Sequence, residues 1–368
     1  MNRAAIICGI AALCLLSTSC HKDEAGESMS DRVHLNIRET ILTSEIDAVV
    51  DSKAAIKGTA FPDESTIGLF ICKHTDETPN PYEEHALRYS NIRGTKGSGG
   101  TWLYNYSGYS AFPTLFIVKN EDDYGNSITA DVFAYAPHLD NITSPSGIPF
   151  QIAGQNDMMY AVENSNPTVN KNIDPLSGTD EVDIPLTFTH ALSLLEFCFT
   201  IKNEKYNHPD GNGSAMNYTL TNINIMKNPD KDAEDIHLYS SASLNAIDGT
   251  LHSFAETGSV NLTYSLNSKA VSYTNVSGKR MIKVSVLLIP AQPGDDDYIF
   301  RFGFNKIMMT SQFSLKKAHR RHGTSDTYGF LPGHRYTFNF ELDNYIHLSD
   351  VEFGEWTTED DPVYEIEI

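Results

Sequence analysis

The chain has 368 residues, with 48 acidic against 27 basic side chains and a formal charge of −21. An apolar share of 40%, with 24 glycines beside it, suits a chain that folds around a core, and the length suits two domains. The acidic balance excludes a nucleic-acid-binding surface, which needs a basic footprint.

Arg3 provides a positive start, and Ala4 to Leu16 is an unbroken apolar stretch that ends in Ser17, Thr18 and Ser19. That stretch is shorter than the roughly 20 residues a helix needs to cross a bilayer, so residues 1–19 read as a signal peptide. Cys20, directly after the small residues, resembles a bacterial lipobox, although Ser17 stands where an aliphatic residue is commoner. Cys20 is therefore the expected site of lipidation, with an acyl chain such as palmitate anchoring the protein to a membrane without spanning it. An ordinary secretory peptide cut elsewhere is the alternative. His21, Lys22, Asp23 and Glu24 resemble the export signal that sends Bacteroidetes lipoproteins to the outer face of the outer membrane. Loss of the first 19 residues removes Arg3 and no acid, so the formal charge moves from −21 to −22. Residues 20–32 are polar and aperiodic, as a lipidated tether should be.

Beyond the tether the pattern is β almost throughout. Ile67, Leu69 and Ile71 share one face of a period-two run, and similar runs cover Leu195 to Ile201, Tyr298 to Phe304 and Tyr336 to Leu342. Glycine- and proline-rich connections such as Lys96 to Gly100 and Gln292 to Asp296 separate the runs. Short helical patterns near Glu45 to Val50 and Thr189 to Leu195 are too brief to form a layer. The expected fold is all-β: antiparallel β-sandwiches with a few short helices. The polar stretch Glu163 to Asp183 marks the junction, dividing the mature chain into an N-terminal domain over 33–183 and a C-terminal domain over 184–368.

Chemistry-bearing constellations are few. The sequence has no HExxH, GxSxG, Walker loop or GxGxxG, and no catalytic, metal or cofactor set is expected. Asp295 to Asp297 and Glu121 to Asp123 read as solvated acidic turns, without the spacing of a calcium loop. Cys72 and Cys198, both in apolar runs, read as buried free thiols and not as a bridge. Lys316, Lys317, Arg320 and Arg321, with His319 and His322, form the one basic cluster of an acidic chain. It could meet an anionic glycan or an acidic neighbour, or simply keep a hairpin tip soluble. Trp102, Tyr104, Tyr106 and Tyr109 would stack on a sugar if exposed, but their strand spacing also fits core packing. His190 reads as a packing or hydrogen-bonding residue.

Five segments, TIGLFI (Thr66 to Ile71), DVFAYAP (Asp131 to Pro137), LTFTHALSLLEF (Leu186 to Phe197), LLIPAQ (Leu287 to Gln292) and FLPGHRYTFNFEL (Phe330 to Leu342), occur in the order seen in the fimbrillin family of Bacteroidales. The tryptophan of VEFGEW (Val351 to Trp356) fits as well, and the resemblance spans the whole mature chain. It implies two transthyretin-like sandwiches, with LTFTHALSLLEF opening the second. It also implies a pilus subunit exported as a surface lipoprotein of the outer membrane, passing into the fimbrium after processing, and serving adhesion. Assembly in such a family proceeds by strand exchange: an arginine-specific protease removes the first strand, and another subunit's strand fills the groove.

Applied to these residues, Val33, Leu35 and Ile37 alternate in a short strand ending at Arg38, the first candidate cleavage site, with Arg32 the second. Tyr364, Ile366 and Ile368 alternate within residues 357–368, the candidate donor strand, which could equally be the last strand of the second domain. The partners implied are other pilus subunits and the membrane through Cys20. The competing reading is a surface lipoprotein, tip or anchor that binds a host or bacterial glycan or protein without polymerising. A Cys20→Ser variant should incorporate no labelled palmitate in cells that label the parent chain, and it should leave the membrane fraction.

Overall fold

A computed structural model of the chain describes residues 32–41, 60–73, 80–81, 83–84, 87–106, 111–113, 115–118, 130–162, 181–201, 219–228, 237–263, 274–276, 279–291, 297–304, 307–314, 329–342 and 346–355. The period-two runs all form strands. The first half supplies β1 (Arg32–Ile41), β2 (Thr66–Lys73), β3 (Asn80–Pro81), β4 (Glu83–Glu84), β5 (Leu87–Arg88), β6 (Ile92–Lys96), β7 (Trp102–Asn105), β8 (Leu115–Val118), β9 (Ala130–Ala136), β10 (Ile148–Gln151), β11 (Met159–Val162) and β12 (Glu181–His190). The second half supplies β13 (Ser193–Ile201), β14 (Leu220–Lys227), β15 (Tyr239–Leu244), β16 (Leu251–Glu256), β17 (Ser259–Thr263), β18 (Thr274–Val276), β19 (Lys279–Leu288), β20 (Asp297–Phe304), β21 (Ile307–Ser314), β22 (His334–Leu342) and β23 (Ile346–Glu355). Among the described residues the helical content is one 3-10 turn, Ile152–Gly154.

The first sheet runs β7-β6-β2-β9-β11-β12-β1-β8, with β3 on β2. Ile67, Leu69 and Ile71 of β2 share a core with Leu35, Ile37 and Ile41 of β1 and with Ile184, Leu186 and Phe188 of β12. Strands distant along the path thus meet face to face, so this sheet folds over on itself to enclose its own core.

In the second half, β18-β19-β13-β22-β23 faces β17-β14-β20-β21 across a core of phenylalanines. Phe197 lies within 5.1 to 5.3 Å, ring centre to ring centre, of Phe300, Phe302 and Phe338. Phe199 stacks on Phe340 at 5.2 Å and meets Phe302 edge-on at 4.9 Å. Such offset and edge-on pairs add to plain area burial. A further, small sheet, β10-β15-β16, pairs a strand of the first half with two of the second.

The structure differs from the sequence expectation in three places. First, the nine-stranded and the five-stranded sheet each hold a parallel pair, β1 with β12 and β13 with β22, where antiparallel sheets were expected. A long crossover permits this, since the chain between β1 and β12 carries most of the first sheet. Second, the junction expected at 183/184 falls inside β12, which belongs wholly to the first sheet. The changeover occurs at Ala191 and Leu192, so LTFTH ends one sheet and SLLEF opens the next. Polarity placed the boundary too early, because a linker and the solvent-facing half of a strand are both hydrophilic. Third, β2 is buried on both faces: Phe70 and Cys72 join the second core along with Phe133 and Tyr135. A Cβ on Gly68 would lie 2.1 Å from the Tyr135 ring, so this close crossing of β2 and β9 needs glycine there.

The seam is tied by polar contacts. The Ala191 amide donates to the Met158 carbonyl at 2.8 Å, and the Gly333 amide to the Leu192 carbonyl at 2.9 Å. The Gln155 side chain satisfies both backbone groups of Leu287, accepting at 2.8 Å and donating at 3.1 Å. His190 Nδ1 meets Asp157 Oδ1 at 2.9 Å, with both side chains nearly fully buried, in keeping with the hydrogen-bonding role read for His190. Phe197→Ala should lower the unfolding free energy by about 3 to 5 kcal/mol, measured by denaturant titration, since the surrounding rings cannot close over the void.

Candidate assembly site

β1 occupies the interior of the first sheet. On one side it pairs in parallel with β12 over eight positions, from His34 opposite Glu181 to Ile41 opposite Phe188. On the other it pairs with β8 over only four, Arg32 to Leu35 against Val118 to Leu115. From Asn36 onward that second edge has no ladder partner among the described residues. The pleat points odd-numbered residues inward: Leu35, Ile37 and Ile41 are buried. Beside them on the flanking strands, and in the same core, are Leu115, Phe116, Ile117, Ile184, Leu186 and Phe188, all buried. Tyr106 holds β8 in place, its hydroxyl donating to the Phe116 carbonyl at 2.8 Å and accepting from the Phe116 amide at 2.9 Å.

Arg38 points outward with its side chain 67% exposed, and its guanidinium meets Asp183 at 2.7 Å. The Asn36 amide donates to the same carboxylate at 2.7 Å. A protease could reach the Arg38 side chain directly. The peptide bond itself is engaged with β12, so cutting requires local detachment of β1. Arg32 sits at the far end of β1, opposite Val118.

Glu39 breaks the apolar pattern of the inward face. Its carboxylate accepts from Lys96 Nζ of β6 at 2.8 Å, with the two side chains 13% and 8% exposed. Lys96 lies 5.7 Å from the centre of the Trp102 ring. The Tyr104 phenol is pushed well above its usual value, first by burial and then by the charge of Glu39.

Trp102, Tyr104 and Tyr106 are 6%, 4% and 0% exposed. They belong to the first core and offer no stacking platform to a sugar. The alternation of β7 turns Leu103 outward in their place, at 44% exposure. Cys72 and Cys198 are buried and in no disulfide, and burial, with the charge of Asp131 second, pushes the Cys72 thiol up to about 12. No group of three His, Cys, Asp or Glu among the described residues could hold a metal. Cys20, the basic cluster at Lys316, Lys317, Arg320 and Arg321, and the donor candidates Tyr364, Ile366 and Ile368 lie outside the described residues.

Sequence reasoning missed Asp183, Glu39 and Lys96. A charged residue at an inward position of an alternating strand is the signal that could have found Glu39. Lys96 was hidden as the first residue of a glycine-rich turn.

An all-β chain that folds one sheet around its own first strand is the class of protein these features define. The chain belongs to the fimbrillin-like family, whose family model matches residues 53–360. No curated protein matches the sequence significantly. Among solved structures, a candidate cell adhesion protein from Bacteroides ovatus is 15% identical, with a TM-score of 0.52 over 89% of this chain and 99% of that one, and shares the fold. A fimbrial assembly protein from Parabacteroides distasonis is 10% identical over 91% of this chain and 100% of its own, with a TM-score of 0.41. The fimbrial anchor protein Mfa2 from Porphyromonas gingivalis is 8% identical over 89% and 99%, with a TM-score of 0.35.

Arg38→Ala should abolish any arginine-specific cut between Arg38 and Glu39, inside β1, while changing stability by no more than about 1 kcal/mol, because the pair with Asp183 is solvent-exposed. Digestion followed by mass spectrometry, alongside thermal unfolding, checks both halves.

Proposed function

We propose that this chain is a pilus subunit of the cell surface, exported as a lipoprotein through Cys20 and polymerised by strand exchange after cleavage at Arg38. Membership of the fimbrillin-like family supports a structural, adhesive role over an enzymatic one. The observation that carries the exchange step is the unequal pairing of β1, with eight partners on β12 and four on β8.

Loss of residues 32–38 would uncover one row of backbone donors and acceptors on β12, a shorter row on β8, and an apolar floor. Such an edge recruits an extended strand: the backbone supplies affinity, and alternate side chains supply specificity. The donor in this reading is the segment with Tyr364, Ile366 and Ile368 from another subunit, and the transthyretin-like sandwich of the family resemblance is part of the same reading. Acidic charge on every subunit would discourage association before the cut.

Protein starting at Glu39 should form ladders on an unboiled gel, whereas protein starting at His21 should run as a monomer. If both remain monomeric at high concentration, the chain is not a shaft subunit.

A further inference from the structure

The position of Glu39, the first residue after the proposed cut, limits how much of β1 can leave. Odd-numbered residues of β1 face the core, and at Glu39 that face carries a carboxylate instead of an aliphatic group. The carboxylate crosses the folded sheet to Lys96 at 2.8 Å, and Lys96 is itself held firmly. Its amide donates to the Ser65 carbonyl at 2.9 Å, and its carbonyl accepts from the Glu64 amide at 2.8 Å. Trp102 lies directly opposite Lys96 in the β6–β7 ladder, and its indole ring faces the ammonium group at 5.7 Å. Tyr104, near enough to Glu39 to feel its charge, lines the same end of the core. A lysine this buried cannot lose its counter-charge without a large desolvation cost.

Resting on the strand-exchange reading, we infer that the Glu39–Lys96 ion pair anchors the end of β1, so that cleavage after Arg38 frees residues 32–38 and leaves Glu39–Ile41 docked against β12. Glu39, Thr40 and Ile41 keep their ladder partners Leu186, Thr187 and Phe188, and Ile41 keeps its place in the core. The vacated slot is then bounded. Its walls are β12 from Glu181 to Pro185 and β8 from Leu115 to Val118, and its two described inward pockets are those of Leu35 and Ile37. Arg38 and Asn36 both leave Asp183, which stays as a carboxylate on the outer rim.

The partner that fits is a short extended strand with aliphatic residues two apart. It needs no acid on its inward face, because Lys96 remains neutralised by the stub. A basic or amide side chain on its outward face would meet Asp183. A partner long enough to reach past the position of Arg38 would collide with the docked stub.

Glu39→Gln in the chain starting at His21 tests the anchor by residue-resolved hydrogen exchange, before and after arginine-specific digestion. In the parent chain, the one amide of the Thr40–Ile41 pair that points at β12 should exchange slowly and stay slow after the cut, while the β1-facing amides of Val182 to Ile184 and Phe116 to Val118 speed up. In Glu39→Gln, exchange at that amide should rise by about a hundredfold in uncut and cut protein alike. If that single variant does not fold, Glu39→Gln with Lys96→Met removes both charges; it should restore the fold while that amide still exchanges about tenfold faster than in the parent. Unchanged exchange at that amide in whichever variant folds, or its loss of protection in the parent on cleavage, overturns the anchor. Absence of any cut at Arg38 counts instead against the processing step, and the uncut chain still decides the anchor through the Glu39→Gln comparison.

Discussion

Backbone hydrogen bonding along β1 governs the first half of this molecule. A strand inside a sheet offers donors and acceptors on both edges, and β1 meets neighbours from the middle and the end of its own unit. β12 arrives last and lies parallel over eight positions, while β8 covers four. Because Leu35, Ile37 and Ile41 also fill the core, the sheet cannot close without β1 or an equivalent strand. The same dependence that makes β1 necessary makes its position an attractive one for another extended segment.

The second half repeats the parallel theme with a different outcome. β13, the first strand after the seam, lies between β19 and β22 with eight paired positions on each side, and β23 continues the sheet beyond β22. Its inward phenylalanines, Phe197 and Phe199, are locked among rings from two other strands, β20 and β22. A strand so evenly held has no weak edge at which to begin leaving. β1 and β13 therefore differ in how evenly they are paired among the described residues, although both begin their sheets in the same parallel manner.

Buried polar groups mark the places where register matters most. His190 with Asp157, and Gln155 with the Leu287 backbone, hold the two sheet systems at the seam. Glu39 with Lys96 does the same across the first core. Each pair costs desolvation and returns a unique alignment, because the partners meet in only one arrangement of the strands. These few inward charges thus fix geometry, apart from the acidic balance of the chain as a whole.

The sequence by itself determined the β class, most strand positions and the burial of both cysteines, because period-two alternation is a local property of a pleated chain. It ended the first strand at Arg38, three residues short of Ile41, because Glu39 breaks the apolar alternation. It left the aromatic run at Trp102 undecided, since an exposed ladder and a core ladder share the same spacing. It placed the seam inside β12, since polarity alone cannot separate a linker from the outward face of a strand. Parallel pairing, the double burial of β2 and the contact between Glu39 and Lys96 were decided only by the tertiary structure. They join residues far apart in the chain, and which strands become neighbours depends on the packing of the whole sheet, which no local pattern records.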